Sequence, residues 1–225
     1  MTTQILFIRH GETAWNRLKR IQGHLDIPLS PSGEEQARQL ASRLAGEAAR
    51  GARLDAIWSS DLGRARQTAQ PTAQALGLLP LRLSEGLRER LYGAFQGHDD
   101  KEVAARFPDG FARWQAREAD FAPPAGESLR AFYQRVVQAA QTIVAAHRGQ
   151  RIACFTHGGV LDCLYRFARG LALETPRDYP LLNASINAID FEDSGQARIV
   201  SWADIGHLDG ASDDDGFSRA PASGR

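Results

Sequence analysis

Cysteine is nearly missing from this chain: Cys154 and Cys163 are the two among 225 residues. Cys154 lies in an apolar run and Cys163 in an expected helix. That spacing offers neither a metal knuckle nor a disulfide framework, so no bound metal and a cytoplasmic address are expected. Lysine is equally scarce. Of 27 basic residues only Lys19 and Lys101 are lysine, so an anion site is expected to use guanidinium forks, which grip phosphate through two bonds. Net charge is absent too: 27 basic residues balance 27 acidic ones, which argues against a nucleic-acid or membrane-surface partner. No apolar run approaches the ~20 residues of a membrane span, and the N-terminus lacks the basic start and apolar core of a targeting signal. A hydrophobic content of 43% with 24% charge is that of a soluble globular protein, long enough to bury a real core.

The chain opens on a short apolar run, Ile5 to Ile8, that ends in Arg9-His10-Gly11 with Glu12, Thr13 and Asn16 just beyond. It reads as a buried strand delivering a cation, an imidazole and a glycine to one spot. Ser30 is placed to cap a helix with Pro31 at its first position, and Ala37, Leu40, Ala41, Leu44 and Ala48 give that helix one apolar face. Leu54 to Trp58 reads as a second strand. Ser59-Ser60-Asp61 reads as its exit and as the cap of a further helix, which Pro71 should kink or shorten. A third strand is expected around Leu79 to Leu83.

Residues 85 to 125 change texture, with charged clusters, aromatic residues and glycines, and are expected to form a helical, cap-like insert over the active site. Glu127-Ser128 starts a long helix. Arg151 to Phe155 reads as a fourth strand, followed by Thr156-His157-Gly158-Gly159 and another helix, and Ile186 to Trp202 as a hairpin about Ser194-Gly195. One domain is expected over residues 1–209. The tail 210–225 lacks apolar periodicity and is expected to be disordered. Strands alternating with amphipathic helices predict a three-layer α/β/α fold whose central sheet is mostly parallel, with one antiparallel strand from the hairpin.

Two strand ends carry His-Gly, at His10 and His157, and a third leads to Arg64 near a helix N-terminus. In a parallel sheet those ends lie on one side, where ligands of open α/β sheets bind. Helix N-termini add backbone donors and a positive dipole end. The pattern describes a phosphate pocket.

Five motifs now stand in order: Arg9-His10-Gly11-Glu12-Thr13 with Asn16, Ser59-Ser60-Asp61-Leu62-Gly63-Arg64-Ala65-Arg66-Gln67-Thr68-Ala69, Leu87-Arg88-Glu89, Gly126-Glu127-Ser128, and Thr156-His157-Gly158-Gly159. Together they resemble the histidine phosphatase superfamily, the phosphoglycerate-mutase-like enzymes. The resemblance implies that His10 is a nucleophile forming a phosphohistidine, which requires a neutral ring with its tautomer fixed by an acceptor. It implies that Arg9, Arg64, Asn16 and His157 hold the phosphoryl oxygens. It also implies that Glu89 protonates the leaving alcohol and then deprotonates water, shielded by the insert. Thr13, Gln22, Gly23 and Gly158 match positions that contact phosphate or substrate. Charge is handled by cations and donors, so no cofactor is implied.

The same resemblance leaves the acceptor open. Glu89 to Gly97 is similar to the mutase version of this segment, Lys101 sits near a mutase lysine, and Arg113 to Arg117 loosely resembles the paired arginines of the mutases. Against a mutase, the insert passes quickly from Trp114 to Pro123-Pro124, and Gly159 stands where mutases usually carry Asn. The expectation is a metal-independent phosphomonoesterase acting on small phosphorylated metabolites. The alternative is a mutase, which would need 2,3-bisphosphoglycerate, and a catalytically inactive binding module is less favoured because every reacting residue is present.

Overall fold

The structure is a computed structural model describing residues 1–209; the tail expected to be disordered, 210–225, lies outside the described residues. Among the described residues the strands are β1 (Thr2–Arg9), β2 (Ala56–Ser59), β3 (Arg82–Leu83), β4 (Arg151–Thr156), β5 (Ile186–Glu192) and β6 (Ala197–Asp204). The helices are α1 (Ala14–Arg17), α2 (Pro31–Ala49), α3 (Gly63–Leu76), α4 (Asp100–Arg106), α5 (Pro108–Gln115), α6 (Leu129–Ala146) and α7 (Gly158–Arg169). All six strands share one sheet in the order β3-β2-β4-β1-β5-β6. The pairs β1–β4, β4–β2 and β2–β3 are parallel, and β5 runs antiparallel to both β1 and β6. The carboxyl ends of β1, β2 and β4 therefore meet on one side.

The pleat of the central strands sorts their side chains between two helical layers. Ile5, Phe7, Ile152 and Cys154 pack against Phe132, Val136 and Ala140 of α6 and Val160 and Leu164 of α7. Leu6, Ile8, Ala153 and Phe155 pack on the opposite face, against Leu40 and Leu44 of α2 and Ala69 and Ala73 of α3. A strand covered on both faces has no position for a polar residue until it ends, hence the unbroken apolar runs in the sequence. Full burial of each such side chain is worth about 1.5–3 kcal/mol. No helix among the described residues is long and apolar enough to cross a membrane.

Local chemistry sets most of the helix ends. Ser30 caps α2 by accepting from the Gly33 N–H at 3.1 Å, and Ser128 caps α6 through the Ala131 N–H at 3.1 Å. The start of α3 departs from expectation. Its N-cap is Leu62, with no side-chain cap. Asp61 turns away to a bidentate pair with Arg88, and the Gly63 N–H is taken by Asp26 at 2.7 Å, a partner far away in sequence.

Pro71 does not end α3, which runs on from Gly63 to Leu76. Proline deprives the carbonyl four residues back of its donor; here that residue is Gln67, which lies on the exposed face where water can replace the bond. β3 is shorter than the expected strand and pairs only Trp58 and Ser59, since Pro80 has no N–H to extend the ladder.

The insert has its own small core of Ile21, Phe95, Val103 and Phe121, with Tyr92, Phe107, Phe111 and Trp114 packed on it. Its helices, α4 and α5, are short, and 3-10 turns at Glu85–Leu87 and Gly93–Phe95 join them to the sheet. Backbone bonds Ile21 N–H to His98 O (2.9 Å) and Gly97 N–H to Ile21 O (2.8 Å) tie the insert to the loop after α1. That loop carries Gln22 and Gly23, so the insert fixes one rim of the site.

Candidate active site

His10 follows directly on β1, its N–H bonded to Thr156 O at 2.9 Å. Its ring is almost wholly buried. Nδ1 lies 2.7 Å from the Gly11 carbonyl, which can only accept, so Nδ1 carries the proton. Nε2 is then unprotonated, and its lone pair accepts from Arg64 Nε at 3.2 Å. Burial, with Arg64 and Arg9 adding repulsion, holds the His10 pKa well below the ordinary imidazole range. The result is a neutral imidazole whose bare nitrogen lies beside a guanidinium.

Arg64, in the first turn of α3, is also buried; its Nη1 and Nη2 donate to Leu25 O (2.9 Å) and Gly23 O (2.8 Å). Burial pushes its pKa down to about 10, which leaves it cationic at neutral pH. One turn later Thr68 Oγ1 accepts from the Gly11 N–H at 2.9 Å and donates to Arg64 O at 2.8 Å. This bond locks the loop after β1 to α3. The first turn of α2 closes on the same loop so tightly that a Cβ on Gly33 would lie 2.0 Å from the Glu12 carbonyl oxygen. Only glycine permits that approach.

Arg9 donates through Nη1 to the Leu181 carbonyl, and its Nε is buried with no hydrogen-bond partner. His157 packs edge-on against His10, ring centroids 5.2 Å apart. Its Nε2 lies 2.8 Å from Ser60 Oγ, while its Nδ1 is buried and unpartnered. Burial, then Arg64, hold its pKa well below the ordinary range as well. Glu89 accepts from the Arg90 N–H at 2.7 Å and from the Gly159 N–H at 3.0 Å, at the start of α7. A Cβ on Gly159 would lie 2.2 Å from Glu89 Oε1, so the bare glycine is what lets the carboxylate sit there.

These groups face a cavity of about 310 Å³. Arg9, His10, Asn16, Gln22, Gly23, Arg64 and Glu89 all line it, with Tyr92 and Trp114 of the insert. Three of the expected residues do not. Thr13 is the N-cap of α1, and its hydroxyl donates to Asn16 Oδ1 at 2.9 Å, so it orients Asn16. Gly158 is the buried first residue of α7, and His157 lies behind His10. Three further glutamates of the same stretch of chain are engaged in ion pairs: Glu85 with Arg88, Glu102 with Arg20 and Glu127 with Arg135.

Of Arg113 and Arg117 only Arg117 reaches the cavity, where it pairs with Asp162 at 2.7 Å. Helix α5 stops at Gln115 and Arg117 adopts φ +54°, which turns its side chain away from the side of Arg113. Arg113 pairs with Glu118 at the surface, and Lys101 is exposed outside the cavity.

Several contributors carry no sequence signal. Ser60 and Thr68 sit inside the second motif without an evident role there, and Asn183 Nδ2 holds the His10 carbonyl at 2.9 Å from a loop with no motif. His24 places Nε2 2.8 Å from the Glu89 carbonyl; its adjacency to Gln22-Gly23 is the one available clue. No group of three or more His, Cys, Asp or Glu among the described residues could hold a metal ion.

The two buried imidazoles make stability depend on pH. In the folded chain both are held neutral, whereas unfolded histidines bind protons below about pH 6.5. Unfolding therefore takes up protons, and stability falls as pH drops below 6.5 until the depressed folded values are reached. Each contributes a slope of up to about 1.4 kcal/mol per pH unit, and His207, lowered mainly by burial, adds in the same direction. Urea unfolding between pH 7 and pH 5 should show this loss, with His10→Gln flatter by about one proton; equal slopes would mean that His10 is not buried neutral.

The comparisons with known proteins agree with this geometry. The chain is 38% identical over 207 residues to "Phosphoglycerate mutase-like protein 4" of Arabidopsis thaliana, covering 92% of this chain and 87% of that one. It is 36% identical over 208 residues to the "Metal-independent phosphoserine phosphatase" of the same plant, covering 92% and 83%. Among solved structures, Bacillus stearothermophilus YhfR superposes with a TM-score of 0.82 at 32% identity, covering 91% of this chain and 98% of that one. Over residues 5–205 the chain matches the histidine phosphatase superfamily (branch 1), and it belongs to that superfamily.

Proposed function

We propose that the chain is a metal-independent phosphomonoesterase for small phosphorylated metabolites, working through a phosphohistidine on His10. The observation that carries this reading is the neutral His10 ring: Nδ1–H is fixed on Gly11 O and Nε2 is bare, beside Arg64 and in a cavity shared with Glu89. Nε2 attacks phosphorus while Glu89, entering as the acid, gives its proton to the departing alkoxide. Phosphorus is then bonded to Nε2, and Nδ1–H still donates to Gly11. Water next loses a proton to the Glu89 carboxylate and attacks phosphorus, releasing inorganic phosphate and restoring His10.

Arg9, Arg64 and Asn16 stabilise the charge on the phosphoryl oxygens. The unpartnered Arg9 Nε is a buried polar atom on the cavity wall that such an oxygen would satisfy.

Hydrolysis is favoured over isomerisation because the mutase-like cations are not assembled. Arg113 and Lys101 lie outside the cavity, and Arg117 is already paired with Asp162. The similarity to a metal-independent phosphoserine phosphatase points the same way. Incubation with 3-phosphoglycerate should release inorganic phosphate, at a rate unchanged by chelator or by added 2,3-bisphosphoglycerate. Bisphosphoglycerate-stimulated formation of 2-phosphoglycerate would overturn the choice.

A further inference from the structure

We propose that Arg135 is a positioning residue for the reaction, holding the segment that carries Glu89 in register with the cavity. The inference rests on the acid–base reading of Glu89. Arg135 lies in the second turn of α6. Its Nη1 approaches the carbonyls of Glu85 (3.3 Å), Gly86 (3.1 Å) and Arg88 (3.1 Å), and its Nη2 that of Glu89 (3.2 Å). The same guanidinium forks onto Glu127, Nε to Oε1 at 2.9 Å and Nη2 to Oε2 at 2.8 Å.

Glu127 in turn grips the far side of the acid. Its Oε2 accepts from the Leu91 N–H at 3.3 Å, its own N–H donates to Leu91 O at 2.8 Å, and its carbonyl accepts from Arg90 Nε at 2.9 Å. Glu89 is thus bracketed by one ion pair: Arg135 holds the chain up to and including it, and Glu127 holds the chain after it. This gives a task to the Gly126-Glu127-Ser128 motif, which the reaction itself does not use.

Residues 85–91 form a 3-10 turn and loop outside the sheet ladder, and side chains hold their carbonyls: Thr156 Oγ1 that of Leu87 at 2.8 Å and His24 Nε2 that of Glu89 at 2.8 Å, beside the four that Arg135 approaches. The Glu89 side chain has two tethers, and one comes from the adjacent residue. Proton transfer demands hydrogen-bond reach of the leaving oxygen, and a misplacement of about 1 Å can cost roughly 10²-fold. Lysine cannot replace arginine here, since a single ammonium cannot fork onto a carboxylate while also spanning four carbonyls.

The test compares kcat/KM, which reports phosphoryl transfer to the enzyme, on two substrates. p-Nitrophenyl phosphate expels a phenolate that needs no proton, whereas β-glycerophosphate expels an alkoxide that does. Arg135→Lys should lower kcat/KM on β-glycerophosphate by roughly 10²-fold and leave p-nitrophenyl phosphate near wild type, the same asymmetry as Glu89→Gln. Glu127→Gln keeps the shape of the pair and carries the test should Arg135→Lys fail to fold. Equal losses on both substrates, or no loss on either, would show that the ion pair only braces α6. If Glu89→Gln is asymmetric and the clamp variants are not, positioning by Arg135 is wrong. If Glu89→Gln itself shows no asymmetry, the acid–base reading falls and this inference with it.

Discussion

His10→Ala should abolish turnover of p-nitrophenyl phosphate, lowering kcat by about 10⁶-fold, the scale of loss when a hydrolase loses its nucleophile. Among the described residues no second imidazole lines the cavity. His157 is the nearest alternative, but it is fully buried, does not line the cavity and has its Nε2 on Ser60 Oγ. Arg9 and Arg64 remain in the variant, so the phosphoryl group still has its cations and substrate binding should survive the loss of turnover. Brief incubation with labelled substrate and denaturing quench should leave acid-labile phosphate on the wild-type chain and none on His10→Ala. Label retained by the variant would falsify His10 as the nucleophile. Because the substitution removes a ring whose burial as a neutral group opposes folding at low pH, the folded variant should also be measurable by thermal unfolding.

Glu89→Gln should cost about 10²–10⁴-fold in kcat/KM on alkyl phosphates, the usual worth of a general acid, and little on p-nitrophenyl phosphate. The amide cannot donate the proton that an alkoxide requires. It also exchanges one acceptor oxygen for an N–H group, which would face either the Arg90 or the Gly159 N–H, each now bonded to the carboxylate. Water activation in the second step suffers too, so kcat on both substrates should fall once dephosphorylation limits the rate. The diagnostic quantity is kcat/KM. An equal loss on alkyl and aryl phosphates would reassign Glu89 from proton carrier to substrate ligand.

Much of this site was legible along the chain because a parallel sheet converts linear order into proximity. His10, His157 and Arg64 each follow an apolar strand, and strands in parallel end on the same side, so three separate strand ends bring Arg64 and His157 against His10. The layers were legible for a similar reason: unbroken apolar runs in β1 and β4 mark strands covered on both faces, and the one-face spacing of α2 and α6 records which side of each helix is buried. Where the reading departed from the structure, the deciding partner was remote and chemically anonymous. Asp61 has the right residue type and place to cap α3, yet Arg88 takes it and Asp26 supplies the cap. Pro71 is a helix breaker by rule, but the carbonyl it orphans is Gln67's, on the solvent face.

The sequence by itself determined the layered α/β architecture and the superfamily, because apolar periodicity and short motifs are local properties. Only the tertiary structure decided which His10 nitrogen is bare, which of four glutamates reaches the cavity, and that Arg117 faces inward while Arg113 does not. It alone disclosed the hold of Arg135 on the Glu89 segment. The Arg135 contacts use backbone carbonyls brought in from 46 to 50 residues away, and the separation of Arg117 from Arg113 depends on where a helix stops. A carbonyl is the same in every residue, so its choice of donor is written in the packing and not in the letters of the chain.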